Sequence, residues 1–467
     1  MKRREFLKRS SATVTLLSAV PLTITKAKAD VPSDRLRIAC IGTGDRGQYV
    51  SSLAARHGEI VMICDADLKQ AETAKARFKA EKAEIVQDYR RIIDRKDIDV
   101  IVQAAPDHWH TKINVEALRT GKDVYAEKPL TLTIDEGKLL RKTVRETGRI
   151  VQVGTQQRSD PGFQTAVELV RNGRIGKLKL VYVAVPFFTT RGGPFPPQDV
   201  PEGLDWDLYQ GQAPTAPYTK NRAHKVWRWW YRYAGGIVTD WGTHHVDVAH
   251  WGADVELSGP VSVEARGLFP NEGRADCYNT PDRFFSRMIY PNGLEVQYFA
   301  AMQEKATYGA VEKHVETTSE QIDFLFGPDC PEEVKASNRN GIMFVGETGR
   351  IFVNRSGAYG KPVEELKDNP LPENAWRASN RIGPEERRVD STEYHVKNFF
   401  DCVRFRKQPV ATIDIEHRSI TACHLTNLSI RLGGRKLQWD PEKEEILGDS
   451  EAKAMQSRDQ REPYTIS

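Results

Sequence analysis

Two short stretches of this chain carry side chains whose types and spacing suit proton transfer. The first is Glu127-Lys128-Pro129. It closes an apolar segment beginning at Asp123, so the Lys128 ammonium is expected just beyond the end of a strand. Pro129 disfavours helical dihedrals at Lys128 and holds it extended. An ammonium in that place can polarise a carbonyl, stabilise an alkoxide or pass a proton. The second is Gly235-Gly236-Ile237-Val238-Thr239-Asp240-Trp241-Gly242-Thr243-His244-His245-Val246-Asp247. On one continuous helix Asp240, His244, Asp247 and Trp251 fall on a single stripe. A carboxylate one turn before a histidine orients the imidazole and favours its charged form, which is the logic of a general base. No further ligand stands at useful spacing, so no metal site is expected. Between Trp206 and Trp251 lie six of the nine tryptophans, densest at Trp227-Arg228-Trp229-Trp230-Tyr231. Aromatic faces of this kind stack on sugar rings, and Arg228 is placed to reach hydroxyls or a carboxylate.

These residues need an element that brings a redox partner to them. Ile41-Gly42-Thr43-Gly44-Asp45-Arg46-Gly47 follows the apolar run Leu36–Cys40 and opens a helix reaching to about Arg56. Strand, G-x-G-x-x-G and helix together form a cradle for a dinucleotide pyrophosphate. Gly42 permits the tight turn, Gly44 lets backbone approach the phosphates, and Gly47 lets the helix pack close. The helix N-terminus then presents its N–H groups to the anion. Glu59–Cys64 reads as the next strand and ends at Asp65, about 20 residues past the loop, where a carboxylate meets the adenosine ribose. A phosphate on that ribose would be repelled, so NAD is favoured over NADP.

From Arg35 to about Gly154 strand and helix patterns alternate. Asp99–Gln103 is an uninterrupted apolar run, expected of a strand covered on both faces. The reading is a doubly wound parallel sheet. A helix over 161–172 and a strand over 178–185 follow. Phe187 to Pro217 is a long Pro- and Gly-rich loop. Strand patterns then recur at 261–267, 284–290, 294–301, 343–345 and 350–353, with Pro291-Asn292-Gly293 as a hairpin turn. A second domain on a mostly antiparallel sheet is expected, with helices near 393–406 and 415–432. The expected divisions are 1–29, 30–155, 156–440 and a charged surface tail, 441–467.

Hydrophobic residues make up 39% and charged residues 28% of the 467, a globular composition. Residues 1–29 hold seven basic side chains against Glu5, a net of +6, so the remaining chain moves from +4 to −2. A near-neutral body gives no reason to expect nucleic acid. Lys2-Arg3-Arg4-Glu5-Phe6-Leu7-Lys8 resembles a twin-arginine export signal. An apolar run and an Ala27-Lys28-Ala29 cleavage site follow. The run is too short and too rich in Ser and Thr for a permanent anchor. Twin-arginine export moves folded proteins, which fits a nucleotide loaded before export and a periplasmic or secreted product. Cys40, Cys64, Cys277, Cys330, Cys402 and Cys423 show no metal spacing, and no disulfides are expected.

Taken together, Gly42-x-Gly44-x-x-Gly47, Asp65, Ala105-Pro106-Asp107-x-x-His110, Glu127-Lys128-Pro129 and Gly235-Gly236-x-x-x-Asp240-x-Gly242-x-His244-x-x-Asp247 resemble the Gfo/Idh/MocA oxidoreductases. Within them the chain is similar to the exported branch related to glucose–fructose oxidoreductase. The resemblance implies a Rossmann domain followed by a C-terminal α/β domain with an open antiparallel sheet. It implies Lys128, Asp240 and His244 as the catalytic set, with Gly42, Gly44, Asp45, Arg46, Gly47, Asp65, Ala105, Pro106, His110, Glu127 and Lys128 around a tightly held NAD, or NADP. Arg158, Trp227, Arg228, Tyr231 and His245 complete an expected substrate-binding set. Sugars or polyols are the implied substrates, and dimers or tetramers the implied assembly. Two other readings are an NAD-dependent glycosidase or lyase, against which Lys128 weighs, and a non-catalytic sugar-binding protein.

Overall fold

The computed structural model describes residues 35–188, 190–274, 276–300, 340–381 and 390–467, and every element below lies in one compact unit, Leu36–Ser467. The segment read as an export signal, and Cys330, lie outside the described residues.

Six parallel strands build the first sheet: β1 (Leu36–Ile41), β2 (Gly58–Cys64), β3 (Glu84–Val86), β4 (Val100–Gln103), β5 (Asp123–Ala126) and β6 (Val151–Val153). Their order is β3-β2-β1-β4-β5-β6. Order reverses between β1 and β4, and ligands of such sheets lie beyond the strand C-termini at that reversal. Helices α1 (Asp45–Ala54), α2 (Leu68–Phe78), α3 (Arg90–Ile93), α4 (Asp107–Arg119) and α5 (Ile134–Thr147) connect them. All four residues of β4 are buried, as the unbroken apolar run requires.

After α6 (Pro161–Arg171), a second sheet of nine strands follows: β7 (Leu178–Val185), β8 (Ser262–Leu268), β9 (Arg283–Ile289), β10 (Glu295–Ala300), β11 (Gly341–Gly346), β12 (Arg350–Asn354), β13 (Gly357–Tyr359), β14 (Leu437–Asp440) and β15 (Glu445–Leu447). Only β7 and β10 pair in parallel; every other neighbouring pair is antiparallel. The turn at Asn292-Gly293 joins β9 to β10, with Gly293 at φ +81° where a side chain would be strained. Helices α7 (Trp206–Gln210), α8 (Ile237–Asp240) and α9 (Gly242–Ala253) precede β8. The long helix Ile413–Arg431 packs on α9 and β8.

Two expectations change here. The stripe from Asp240 to Trp251 does not lie on one helix, because the helix breaks at Trp241. The Tyr298 hydroxyl donates to the Val238 carbonyl at 2.6 Å, occupying the acceptor that Gly242 N–H would use in a continuous helix. A Cβ on Gly242 would sit 2.2 Å from that same hydroxyl. The tail after Asp440 also does more than lie on the surface. Beyond β15, Tyr464 is buried against Trp109 of α4 with ring centroids 5.5 Å apart. Arg458 meets Glu136 at 2.7 Å, and Lys112 donates to the Thr465 carbonyl at 2.8 Å. The helix Ser391–Phe405 also returns to the first sheet, burying Val396, Phe399 and Phe400 with Val50 and Tyr125.

Candidate active site

The turn between β1 and α1 is shaped by its glycines. Gly42 has φ +77°, and a Cβ there would fall 2.3 Å from the Ala105 nitrogen. A Cβ on Gly47 would fall 1.9 Å from the Gly42 carbonyl, so this glycine brings α1 against its own turn. Gly44 differs: space around its missing Cβ is open to 4 Å, and no side chain caps α1. An uncapped helix N-terminus facing open volume fits a phosphate. Asp65 lies at the end of β2, its carboxylate accepting from Thr43 N–H at 2.6 Å and Asp67 N–H at 3.0 Å. Burial raises its pKa, and those two N–H donors work against the rise.

These groups open onto a cavity of about 740 Å³ shared by both sheets' loops. Ala105, Pro106, Glu127 and Lys128 line it from the first sheet; Trp227, Arg228, Asp240, Trp241 and His244 line it from the second region. The ammonium of Lys128 and the ring of His244 therefore face the same space. Arg46 and Glu127 pair at 2.8 Å along its wall, and a Cβ on Gly154 would meet the Glu127 carboxylate at 2.8 Å. His110 lines the cavity as well. Its two ring nitrogens lie 2.6 Å from the Pro129 carbonyl and 2.7 Å from that of Ala105, so the ring braces the two loops that follow β4 and β5.

Asp240 is bound to Lys128, not to His244. The Lys128 ammonium donates to Asp240 Oδ1 at 2.6 Å and to the Asp240 carbonyl at 2.9 Å, and Arg228 Nε lies 3.4 Å from the same Oδ1. Burial pushes the Asp240 carboxyl up, but Lys128 and Arg228 together outweigh it and hold the group at about 2. His244 is buried, and its Nδ1 has no hydrogen-bond partner. Burial first, then the charges of Lys128 and Arg355, push its pKa well below the ordinary value, so the ring is neutral near pH 7.

Three expected substrate-binding residues lie elsewhere. Arg158 is 3% exposed and held by Asp247 at 2.6 and 2.7 Å and by Glu256 at 2.8 Å, so it neutralises carboxylates inside the domain. Asp247 is drawn into that cluster and away from the cavity. Tyr231 lines a different cleft, donating from its hydroxyl to Asn427 at 3.2 Å beneath Arg431. His245 is fully buried and stacked on Trp241 at 5.5 Å. Trp227 and Arg228 do line the cavity.

The cavity also takes in residues the sequence did not single out as site residues. Arg355, from the turn between β12 and β13, lies 4.4 Å above the Trp241 ring. Gln156 presents a buried, unpartnered Oε1 on the cavity wall. Asp107, at the start of α4, is pushed up to about 8, by burial first and by Asp240 among its neighbours. Asp107 had a legible position, one residue past Pro106 at a strand end. Arg355 had none, being a lone arginine in a hairpin more than a hundred residues from His244.

Comparison with known proteins bears on the same regions. The family model of the Gfo/Idh/MocA oxidoreductases, described as an NAD-binding Rossmann fold, matches residues 36–155. Its C-terminal alpha/beta domain matches residues 187–280 and 384–466. The scyllo-inositol 2-dehydrogenase (NAD(+)) of Bacillus subtilis is 27% identical over 381 residues, 81% of this chain and 89% of that protein. Levoglucosan dehydrogenase of Pseudarthrobacter phenanthrenivorans is 28% identical over 191 residues, 41% of each chain. The crystal structure of myo-inositol dehydrogenase from Lactobacillus casei with NAD(H) and myo-inositol shares the fold, with TM-score 0.55, 19% identity and coverage of 87% and 97%. The two family domains together account for most of the chain, and the glycine turn and Asp65 supply the cradle their nucleotide requires. On that evidence this chain is an NAD-dependent oxidoreductase and belongs to the Gfo/Idh/MocA family.

Proposed function

We propose that the enzyme moves hydride between a hydroxyl-bearing carbon of a sugar or polyol and a tightly held NAD, and that it does so after twin-arginine export, in the periplasm. One observation carries the catalytic reading: the ammonium of Lys128, gripped by Asp240, and the neutral imidazole of His244 face one cavity with the nucleotide cradle. The inositol and levoglucosan dehydrogenases among the relatives support the substrate class.

The nicotinamide supplies two-electron hydride chemistry when bound. Gly42, Gly44 and Gly47 shape its phosphate site, Asp45 and Arg46 open the helix there, and Asp65 takes the ribose. His244, kept neutral by burial, accepts the proton of the substrate hydroxyl. Lys128 donates a hydrogen bond to the same oxygen as negative charge gathers on it. Asp240 aims the ammonium and balances its charge, and Trp227 on the cavity wall offers a face for the sugar ring. Nucleotide retention has support in the segment that crosses the groove. Lys225 meets Asp45 at 2.5 Å, and Asp205 N–H donates to the Ala66 carbonyl at 2.9 Å. The Arg3-Arg4 motif supports export.

The test is to purify the exported protein, denature it and identify the released nucleotide. Sugars and polyols are then scanned for a change in reduced-nicotinamide absorbance. Released NAD(H) and a stable keto product support the reading. No nucleotide, or a cleaved glycoside without net redox change, overturns it.

A further inference from the structure

Three neighbouring strands of the first sheet end level with one another. Gln103 of β4 pairs with Ala126 of β5, and Ala126 pairs with Val153 of β6. Each loop beyond brings a polar side chain to the same cavity: Asp107 four residues past β4, Lys128 two past β5 and Gln156 three past β6. Adjacent strands lie about 4.8 Å apart, so the loop order sets Lys128 between the other two. Lys128 is answered by Asp240 at 2.6 Å. The groups that flank it are not. Gln156 is 9% exposed, and its buried Oε1 has no hydrogen-bond partner. Asp107 is 3% exposed. Arg228, Asp240 and Lys128 act on it through their charges, and no side chain among the described residues hydrogen-bonds to it.

A buried acceptor left without a donor is costly, so one on the wall of a binding cavity points to a ligand. Only a group carrying O–H or N–H answers Gln156 Oε1. Arg158, on the same short turn, is held by Asp247 of α9, so Gln156 stands toward the helix that carries His244. After burial, Arg228 and Asp240 act most strongly on Asp107, which stands toward that pair. Burial pushes the Asp107 carboxyl up to about 8, so near pH 7 it donates as well as accepts. Hydroxyl groups, donors and acceptors at once, satisfy both neighbours of Lys128. A ring oxygen or a methylene leaves Gln156 unanswered.

We propose that the substrate is a ring sugar or cyclitol oxidised at the middle one of three consecutive hydroxyl-bearing carbons. The central hydroxyl meets Lys128 and His244, Gln156 accepts from the hydroxyl on one side, and Asp107 holds the hydroxyl on the other. Gln156 and Asp107 are then the residues that set specificity. This inference rests on the dehydrogenase reading above, and the test separates the two.

Nicotinamide reduction by the purified holoenzyme is measured with glucose, with myo-inositol and with the monodeoxy derivatives of each. Equilibrium titrations of the same compounds are followed by tryptophan fluorescence. In the better-used series one deoxy compound is inert, because it lacks the reacting hydroxyl. The two compounds lacking a neighbouring hydroxyl each lose about tenfold or more in kcat/KM. Gln156→Leu lowers kcat/KM for the parent compound by a similar factor and leaves it unchanged for the deoxy compound already lacking its partner. Asp107→Leu does the same for the other deoxy compound, and Asp107→Asn restores part of the loss. An unchanged rate for either neighbouring deoxy compound, or variant losses equal for parent and deoxy compounds, overturns the inference and leaves the dehydrogenase reading standing. So does a loss of bound nucleotide from the variants with the deoxy pattern unaltered, which places both side chains on the nicotinamide. If neither series is turned over, the dehydrogenase reading fails, and the titrations still decide the inference. Weaker binding of two deoxy compounds, each difference removed by one variant, supports it; uniform or absent binding overturns it.

Discussion

The negative charge of Asp240 serves the ammonium across the cavity and not the imidazole four residues on. Lys128 is therefore the oriented group, and His244 is a neutral acceptor whose basicity is set by burial and nearby cations. Asp240→Asn should leave the fold intact and lower kcat by about tenfold to a hundredfold, the usual range for one group that positions a proton-transfer partner. Nucleotide content measured after purification should be unchanged. The His244 pKa lies well below 6.5, and the group must be neutral to accept a proton. The acid limb of kcat/KM should therefore stay flat from about pH 8 to about pH 6 and fall only below that range. A profile falling at about pH 6.5 would mean an unperturbed imidazole and would remove His244 as the buried acceptor.

At the scale of the element, the β1–α1 turn separates two kinds of glycine that look alike in sequence. Gly47→Ala places a Cβ 1.9 Å from a backbone carbonyl, with nothing flexible to yield. It should cost roughly 3 kcal/mol of stability even without nucleotide, read by denaturant unfolding. Gly44→Ala has open space and ordinary dihedrals, so nucleotide-free stability should hold while NAD affinity drops about tenfold or more. Comparable stability losses in both variants would contradict the placement of the phosphates. The parallel sheet was legible because strands covered on both faces leave unbroken apolar runs and glycines mark the turns between them. The Asp240-to-Trp251 stripe was misread because periodicity cannot see a distant hydroxyl. Tyr298, sixty residues later, takes the Val238 carbonyl where the helix divides, and Asp240 pairs with Lys128 from the other sheet. Arg158 and Tyr231, expected as substrate contacts, show how little a single sequence says about side-chain partners. Their true partners, Asp247, Glu256 and Asn427, lie far away along the chain.

Across the described residues, four histidines outside the reacting set share one property. Burial pushes His108, His245, His250 and His424 down to about 3. The unfolded chain binds protons at these positions near pH 6.5 and the folded chain does not. Stability is therefore full above that pH and declines as pH falls toward 4, by about 1.4 kcal/mol per pH unit for each histidine. Thermal unfolding across that range should show a steep fall, and a flat melting temperature would contradict the burial of these rings. The C-terminal segment also belongs to this scale. Tyr464 and Arg458 tie the end of the chain to the first domain, which the charged, apolar-poor tail did not announce.

The central claim is that an ammonium held by Asp240 shares one cavity with the nucleotide and acts on the substrate oxygen. Single-turnover reduction of the bound nucleotide, comparing the parent enzyme with Lys128→Ala, tests it most directly. The account predicts that the variant stays folded, keeps its nucleotide and loses about a hundredfold or more in rate. A variant that holds nucleotide and reduces it at the parent rate would contradict the account.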